Sequence, residues 1–261
     1  MTNRPGPDPS EEFFVGFFPI PPRLRLFLIA VAASLVAAFA ALAYASGLAQ
    51  DDPGDGSFRF DFGRQTVTGV LEVAPYPTLR VVVGSERIEA GRTIMLSGAG
   101  KFGLMARGEE LDGRMVVASG VLLTRGDLDM LQVRGGANGV SAADEPPLAA
   151  VTLEAPVPLG RWRLSGEMCD GKCLAGAMRP GRGLAHKACA NLCVVGGVPP
   201  VFVSAAPVEG EEFFMLAGPG GTELDRDVLD HMAAYVTLEG DLERRGDLIV
   251  LTVDPATIEP L

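Results

Sequence analysis

The chain has 261 residues, a formal net charge of -11, and 33 glycines and 20 prolines against few aromatics. An acidic body repels phosphate backbones, which argues against nucleic acid as a partner. The length allows one large domain or two small ones with real cores, and the glycine and proline content suits short strands joined by turns.

The first feature along the chain is the apolar patch Phe13–Pro22. It is too short to cross a bilayer, and its glycine and adjacent prolines oppose a helix. It reads as a segment lying in the membrane interface, with a docking strip for a membrane partner as the alternative. Residues Leu26 to Ala49 then run without a charge. At about 1.5 Å per residue they are long enough to cross a hydrocarbon core about 30 Å thick. Arg23 and Arg25 precede this span, and Asp51, Asp52 and Asp55 follow it. The positive-inside tendency places residues 1–25 in the cytoplasm and the body in the periplasm, anchored to the inner membrane through residues 26–49. Ala43-Tyr44-Ala45 offers a signal-peptide cleavage site instead, but the apolar run is long for that purpose.

The body contains a repeat. Residues 111–133 and 231–253 align at an offset of 120, with identities that include Gly120/Gly240, Leu122/Leu242, the triplet Arg125-Gly126-Asp127/Arg245-Gly246-Asp247, and Val133/Val253. Met95-Leu96-Ser97-Gly98 matches Met215-Leu216-Ala217-Gly218 at the same offset. Apolar alternation on both sides of Arg-Gly-Asp marks a hairpin, so the triplet reads as turn chemistry and not as an adhesion motif. Upstream strands are expected at Thr66–Leu71 and Leu79–Val83 in the first copy, and at Arg161–Met168 and Val201–Ser204 in the second. Gly98-Ala99-Gly100-Lys101 lacks the full phosphate-loop spacing and reads as a turn. The fold class is mainly β: two tandem barrels like the oligonucleotide/oligosaccharide-binding (OB) fold, over residues 57–143 and 158–261, joined near Asp144–Pro158.

The copies differ in one place. Pro77 lies eight residues after Gly69, whereas Pro199 lies 33 residues after Gly166. The second copy therefore carries an insertion, residues 167–197, that holds all four cysteines and His186. Added loops on a rigid barrel are where function tends to sit. Leu184 to Val195 has helix-forming composition and stops at Gly196-Gly197. On that helix His186, Cys189 and Cys193 share a face, opposite Cys169 and Cys173.

Three chemistries fit these residues. Two disulfides would staple the insertion in an oxidising compartment, each contributing about 2–4 kcal/mol. A Cys189–Cys193 bond within one helix would be strained, so pairing across to Cys169 and Cys173 is expected. Alternatively the four cysteines surround zinc, with His186 able to replace one of them, or Cu(I) with Met168 and Met178 as further soft ligands. Thiol redox chemistry lacks a C-x-x-C, and covalent haem lacks C-x-x-C-H. Lys172, Arg179, Arg182 and Lys187 make the insertion basic within an acidic body, a candidate contact surface for a partner. No pattern of residues marks a catalytic nucleophile with its base.

The segment Asp170-x-x-Cys173, His186-x-x-Cys189-Ala190-x-x-Cys193 and Gly196-Gly197 resembles a motif of small exported bacterial domains that have no established activity. The resemblance implies an exported module, and Cys169 falls outside it. The sequence thus favours a non-catalytic accessory or assembly module that needs no cofactor and docks to a membrane-bound or exported redox complex through a disulfide-stapled insertion. A periplasmic zinc- or copper-binding protein is the alternative, with His186 and Asp170 as possible metal or structural residues.

Overall fold

A computed structural model of the chain describes residues 20–49, 54–104, 106–135, 139–144, 146 and 151–261. Residues 13–19 of the apolar patch, Asp51, Asp52, and residues 145 and 147–150 of the expected joint between the barrels lie outside them. The chain divides into two compact units, residues 1–52 and 53–261.

Among its described residues the first unit contains one helix, α1 (Pro22–Ala49). Proline at its first turn costs no hydrogen bond, and the alanine- and leucine-rich run that follows has high helix propensity. Residues Pro22–Ser46 are long and apolar enough to cross a membrane. Leu26, Phe27, Val36 and Phe39 are all exposed.

The second unit opens with β1 (Ser57–Phe58), β2 (Gln65–Glu72), β3 (Thr78–Val83), β4 (Thr93–Ser97), the short α2 (Ala106–Glu110), β5 (Met115–Arg125), β6 (Leu128–Val133) and β7 (Val140–Ala142). It continues with β8 (Val157–Asp170), α3 (Lys187–Val195), β9 (Pro200–Val208), β10 (Glu211–Ala217), α4 (Arg226–Leu229), β11 (Tyr235–Arg245), β12 (Leu248–Val253) and β13 (Glu259–Pro260). Each set forms a closed five-stranded barrel. The first runs β5-β2-β3-β4-β6 and closes by pairing β6 with β5, with β1 and β7 added on β5. The second runs β11-β8-β9-β10-β12 and closes by pairing β12 with β11, with β13 added on β11. Only β4–β6 and β10–β12 are parallel; the other pairings are antiparallel.

Closure depends on the long strands β5 and β11, which pair on both sides. Each has a glycine where it meets the closing strand: Gly120 opposite Val133, and Gly240 opposite Val253. A Cβ at Gly120 would fall 2.2 Å from the Gln132 carbonyl oxygen, and one at Gly240 would fall 2.4 Å from that of Thr252. Only glycine allows the backbones to approach so closely at the bend. The Arg-Gly-Asp triplets sit at two-residue turns, with Gly126 and Gly246 at φ of 53° and 64°. This is the turn role read from the sequence.

Strand alternation separates two cores. Ile94, Leu96, Leu122 and Leu131 point into the first barrel, where they pack with Val67, Leu71 and Leu79. Their neighbours Met95, Leu123 and Met130 point outward, into a core shared with Phe202, Phe214, Leu251 and the connection between β8 and β9. Successive side chains of a strand face opposite ways, so β4 and β6 serve both cores and are buried at nearly every position.

The two hairpin turns gather charge at this seam. Asp247 accepts the Thr93 backbone N–H at 2.6 Å and pairs with Arg92, whose guanidinium also reaches Asp129 at 3.2 Å. Burial raises the Asp129 carboxyl to about 6 from an ordinary value of 3.8; Arg92 opposes the shift, while Asp247 and Asp127 add to it. An acid raised on folding binds its proton more tightly in the native state. Its ionisation therefore costs stability that grows from about pH 4 to about pH 6 and then stays constant. Asp129→Asn is expected to raise stability by about 1–3 kcal/mol at pH 7.5, with the gain fading as the pH falls to 4. Urea unfolding at the two pH values measures this, and a gain that does not depend on pH would contradict it.

Candidate metal centre

The site is built by the connection between β8 and β9, residues 171–199. It leaves and rejoins the sheet at one point, because Asp170 pairs with Pro200 and Cys169 with Val201. The chain passes through a wide turn at Cys173–Ala177 and a tight one at Leu184–His186, then forms α3. The helix stops where the sequence indicated. Gly196 and Gly197 donate to the carbonyls of Leu192 and Val194, Gly197 adopts φ of 86°, and Val198 donates back to Cys193. That left-handed residue satisfies the last helical carbonyls and turns the chain into β9.

Folding brings Cys173, His186 and Cys189 together, with their ligand atoms within 4.8 Å of one another. Asp170, Cys173 and Cys193 form a second set at the same spacing. Asp170, Cys173, His186 and Cys193 are buried, and Cys189 is half-buried. Asp170 Oδ1 accepts the Cys173 backbone N–H at 2.8 Å, and Oδ2 lies 2.8 Å from His186 Nε2. A carboxylate only accepts, so Nε2 carries the proton and Nδ1 is left for a ligand.

The first barrel contributes the loop between β4 and α2. Lys101 Nζ donates to Cys189 Sγ at 2.5 Å and lies 4.0 Å from Cys193 Sγ. Lys172 Nζ, from the 171–199 connection, donates to the carbonyls of Gly98 and Gly100 at 2.6 and 2.7 Å. The Gly103 N–H donates to the Gly196 carbonyl at 2.7 Å. A Cβ on Gly103 would fall 2.1 Å from the Gly197 carbonyl oxygen, and one on Gly196 would fall 1.9 Å from that of Lys101. The two loops interlock backbone to backbone.

These contacts set the electrostatics. The Cys193 thiol is lowered by a hydrogen bond from Cys173 and by the charge of Lys101, against the effect of burial. Cys173 is raised, first by that hydrogen bond and then by burial. Lys101 is held above its usual range by its bond to Cys189, and burial lowers Lys172.

Several expectations from the sequence are corrected here. The disulfide staple is absent: Cys169, Cys173, Cys189 and Cys193 are all free thiols. Cys169 does not join the cluster either. It neighbours Asp170 on a strand, so its side chain faces the opposite way. There it donates to Glu167 at 3.2 Å, and Glu167 in turn accepts from Arg182 and from the Gly183 N–H. Burial, then Glu167, pushes the Cys169 thiol well up. Of the basic residues, Lys172 is buried, Lys187 donates to the Asp230 carbonyl, and Arg179, near Asp55, and Arg182, paired with Glu167, are exposed. Of the two methionines considered as copper ligands, Met168 is part of the shared core and Met178 is exposed. Lys101 was missed as a site residue. Its sequence context signals only a turn, and nothing in it points to a cysteine 88 residues away.

Three thiols and an imidazole oriented by a carboxylate make a soft-to-borderline donor set suited to a transition metal ion. No protein-family model, no curated protein and no solved structure matches this chain.

Thiol titration of the chain, unfolded in denaturant with chelator and no reductant, is expected to find four free thiols. In the folded protein Cys189 should react first, because it is the least buried of the four. A count of two or none would contradict the free-thiol arrangement.

Proposed function

We propose that this chain is a membrane-anchored, exported metal-binding protein that holds one transition metal ion in the segment between β8 and β9. The carrying observation is that Cys173 is shared by two adjoining sets of ligand atoms, one with His186 and Cys189 and the other with Asp170 and Cys193, and that Asp170 also holds the imidazole. Buried thiols with no disulfide partner, collected from two separate stretches of chain, serve little purpose as packing alone. A bound ion accounts for their convergence.

The anchor assignment is supported by the uncharged stretch Leu26–Ala49 of α1 and by Arg23 and Arg25 in the first turn of that helix. The periplasmic placement follows from those arginines and the acidic residues beyond the helix. We read both barrels as OB-like. Each has the strand order first-second-third-fifth-fourth, a parallel third–fifth pairing, and a short helix between the third and fourth strands. On this reading, the 167–197 segment is an insertion in the first hairpin connection of the second of two duplicated barrels, and the insertion carries the chemistry.

The full-length chain, purified in detergent without chelator, is expected to carry or take up one equivalent of metal per chain by elemental analysis. Cys173→Ser and Cys189→Ser should each weaken binding by at least about tenfold, the loss typical even of outer-shell changes, while Cys169→Ser should leave it intact. A chain that neither carries nor takes up metal would refute the proposal. So would loss of metal from Cys169→Ser as complete as from Cys189→Ser.

A further inference from the structure

We infer that the site is built for a divalent ion of the zinc class, ligated by Cys173, Cys189, Cys193 and His186 Nδ1, with Asp170 orienting the imidazole and Lys101 and Lys172 balancing the charge. This inference rests on the metal-binding reading and adds the ligand set and the valence.

The ligand set follows from Asp170. Both of its oxygens are engaged, one by the Cys173 N–H and the other by His186 Nε2. A carboxylate held this way sets the tautomer and the ring orientation of a histidine that ligates through its other nitrogen. The donors that remain are three sulfurs and one nitrogen, a closed four-coordinate set of the kind that holds structural zinc.

The valence follows from the charges. Three thiolates and the Asp170 carboxylate face two ammonium groups, Lys101 on Cys189 and Lys172 on the Gly98–Gly100 loop. The excess is two negative charges, which a divalent ion cancels and a monovalent ion does not. Residual charge in a buried cluster is disfavoured. Three other sets of charged groups lie nearby. Arg125 is buried and lines the cleft beside Cys173, but it is not among the groups that chiefly shift Cys173 or Cys193. Glu167 and Arg182 neutralise each other on the Cys169 side, and Arg134, which faces Lys172, is half-exposed and donates to Gln132.

The count makes two variants move in opposite directions. Asp170→Asn removes one negative charge, so neutrality then falls to a monovalent ion. Lys101→Met removes one positive charge and carries the preference further from a monovalent ion. The test measures Zn(II) and Cu(I) affinities of the full chain in detergent, anaerobically, against competing chelators, with Co(II) substitution reporting geometry. The wild type is expected to give tetrahedral Co(II) bands with thiolate charge transfer. The ratio of Zn(II) to Cu(I) affinity should fall at least about tenfold in Asp170→Asn and hold or rise in Lys101→Met. Octahedral Co(II), or a ratio that falls in Lys101→Met, would overturn the inference while leaving metal binding in place. Failure of all three ions to bind would overturn the metal-binding reading as well. Should Asp170→Asn not fold, Lys101→Met, at a half-exposed position, still decides the matter.

Discussion

Asp170 has no exposed surface, and a carboxylate so placed is tolerated only when its oxygens are hydrogen-bonded or paired. Its two bonds, to the Cys173 N–H and to His186, satisfy that demand and at the same time shape the site. The first fixes the start of the wide turn that carries Cys173. The second draws the head of α3 toward the end of β8, and with it the face that bears Cys189 and Cys193. The segment supplies few large apolar side chains of its own, so polar bonds such as these carry part of the work of defining its path.

The segment is held by the first barrel as well as by the barrel from which it springs. Lys172 reaches into the 98–100 loop, Lys101 reaches back to the thiols, and Gly103 and Gly196 meet backbone to backbone. The outward residues Met95, Leu123 and Met130 complete the packing underneath. The site is thus a property of both barrels together. The polar network behind it is costly to break in part, because each member would leave another buried without a partner.

Much of the fold was legible because strand alternation and turn chemistry are local. The hairpins around the two Arg-Gly-Asp turns, the strand near Thr66–Leu71 and the helix ending at Gly196-Gly197 follow from patterns within a few residues. The segment between β8 and β9 drew attention in the sequence because it gathers all four cysteines and His186. Its chemistry was less legible. Counting four cysteines suggested two pairs, but strand parity turns Cys169 away from Asp170 and leaves three, an odd number around one centre. Lys101 could not be assigned to the site, because only tertiary packing brings residue 101 to residue 189. The burial of Lys172 was hidden for the same reason: its partners are backbone carbonyls of a distant loop.

The central claim is that Cys173, Cys189, Cys193 and His186 surround a single ion. X-ray absorption at the edge of the bound metal, recorded on the full chain, reads that shell directly. The account expects three sulfur scatterers at about 2.3 Å and one imidazole nitrogen at about 2.0–2.1 Å. A shell of oxygen and nitrogen alone, with no sulfur, would contradict it.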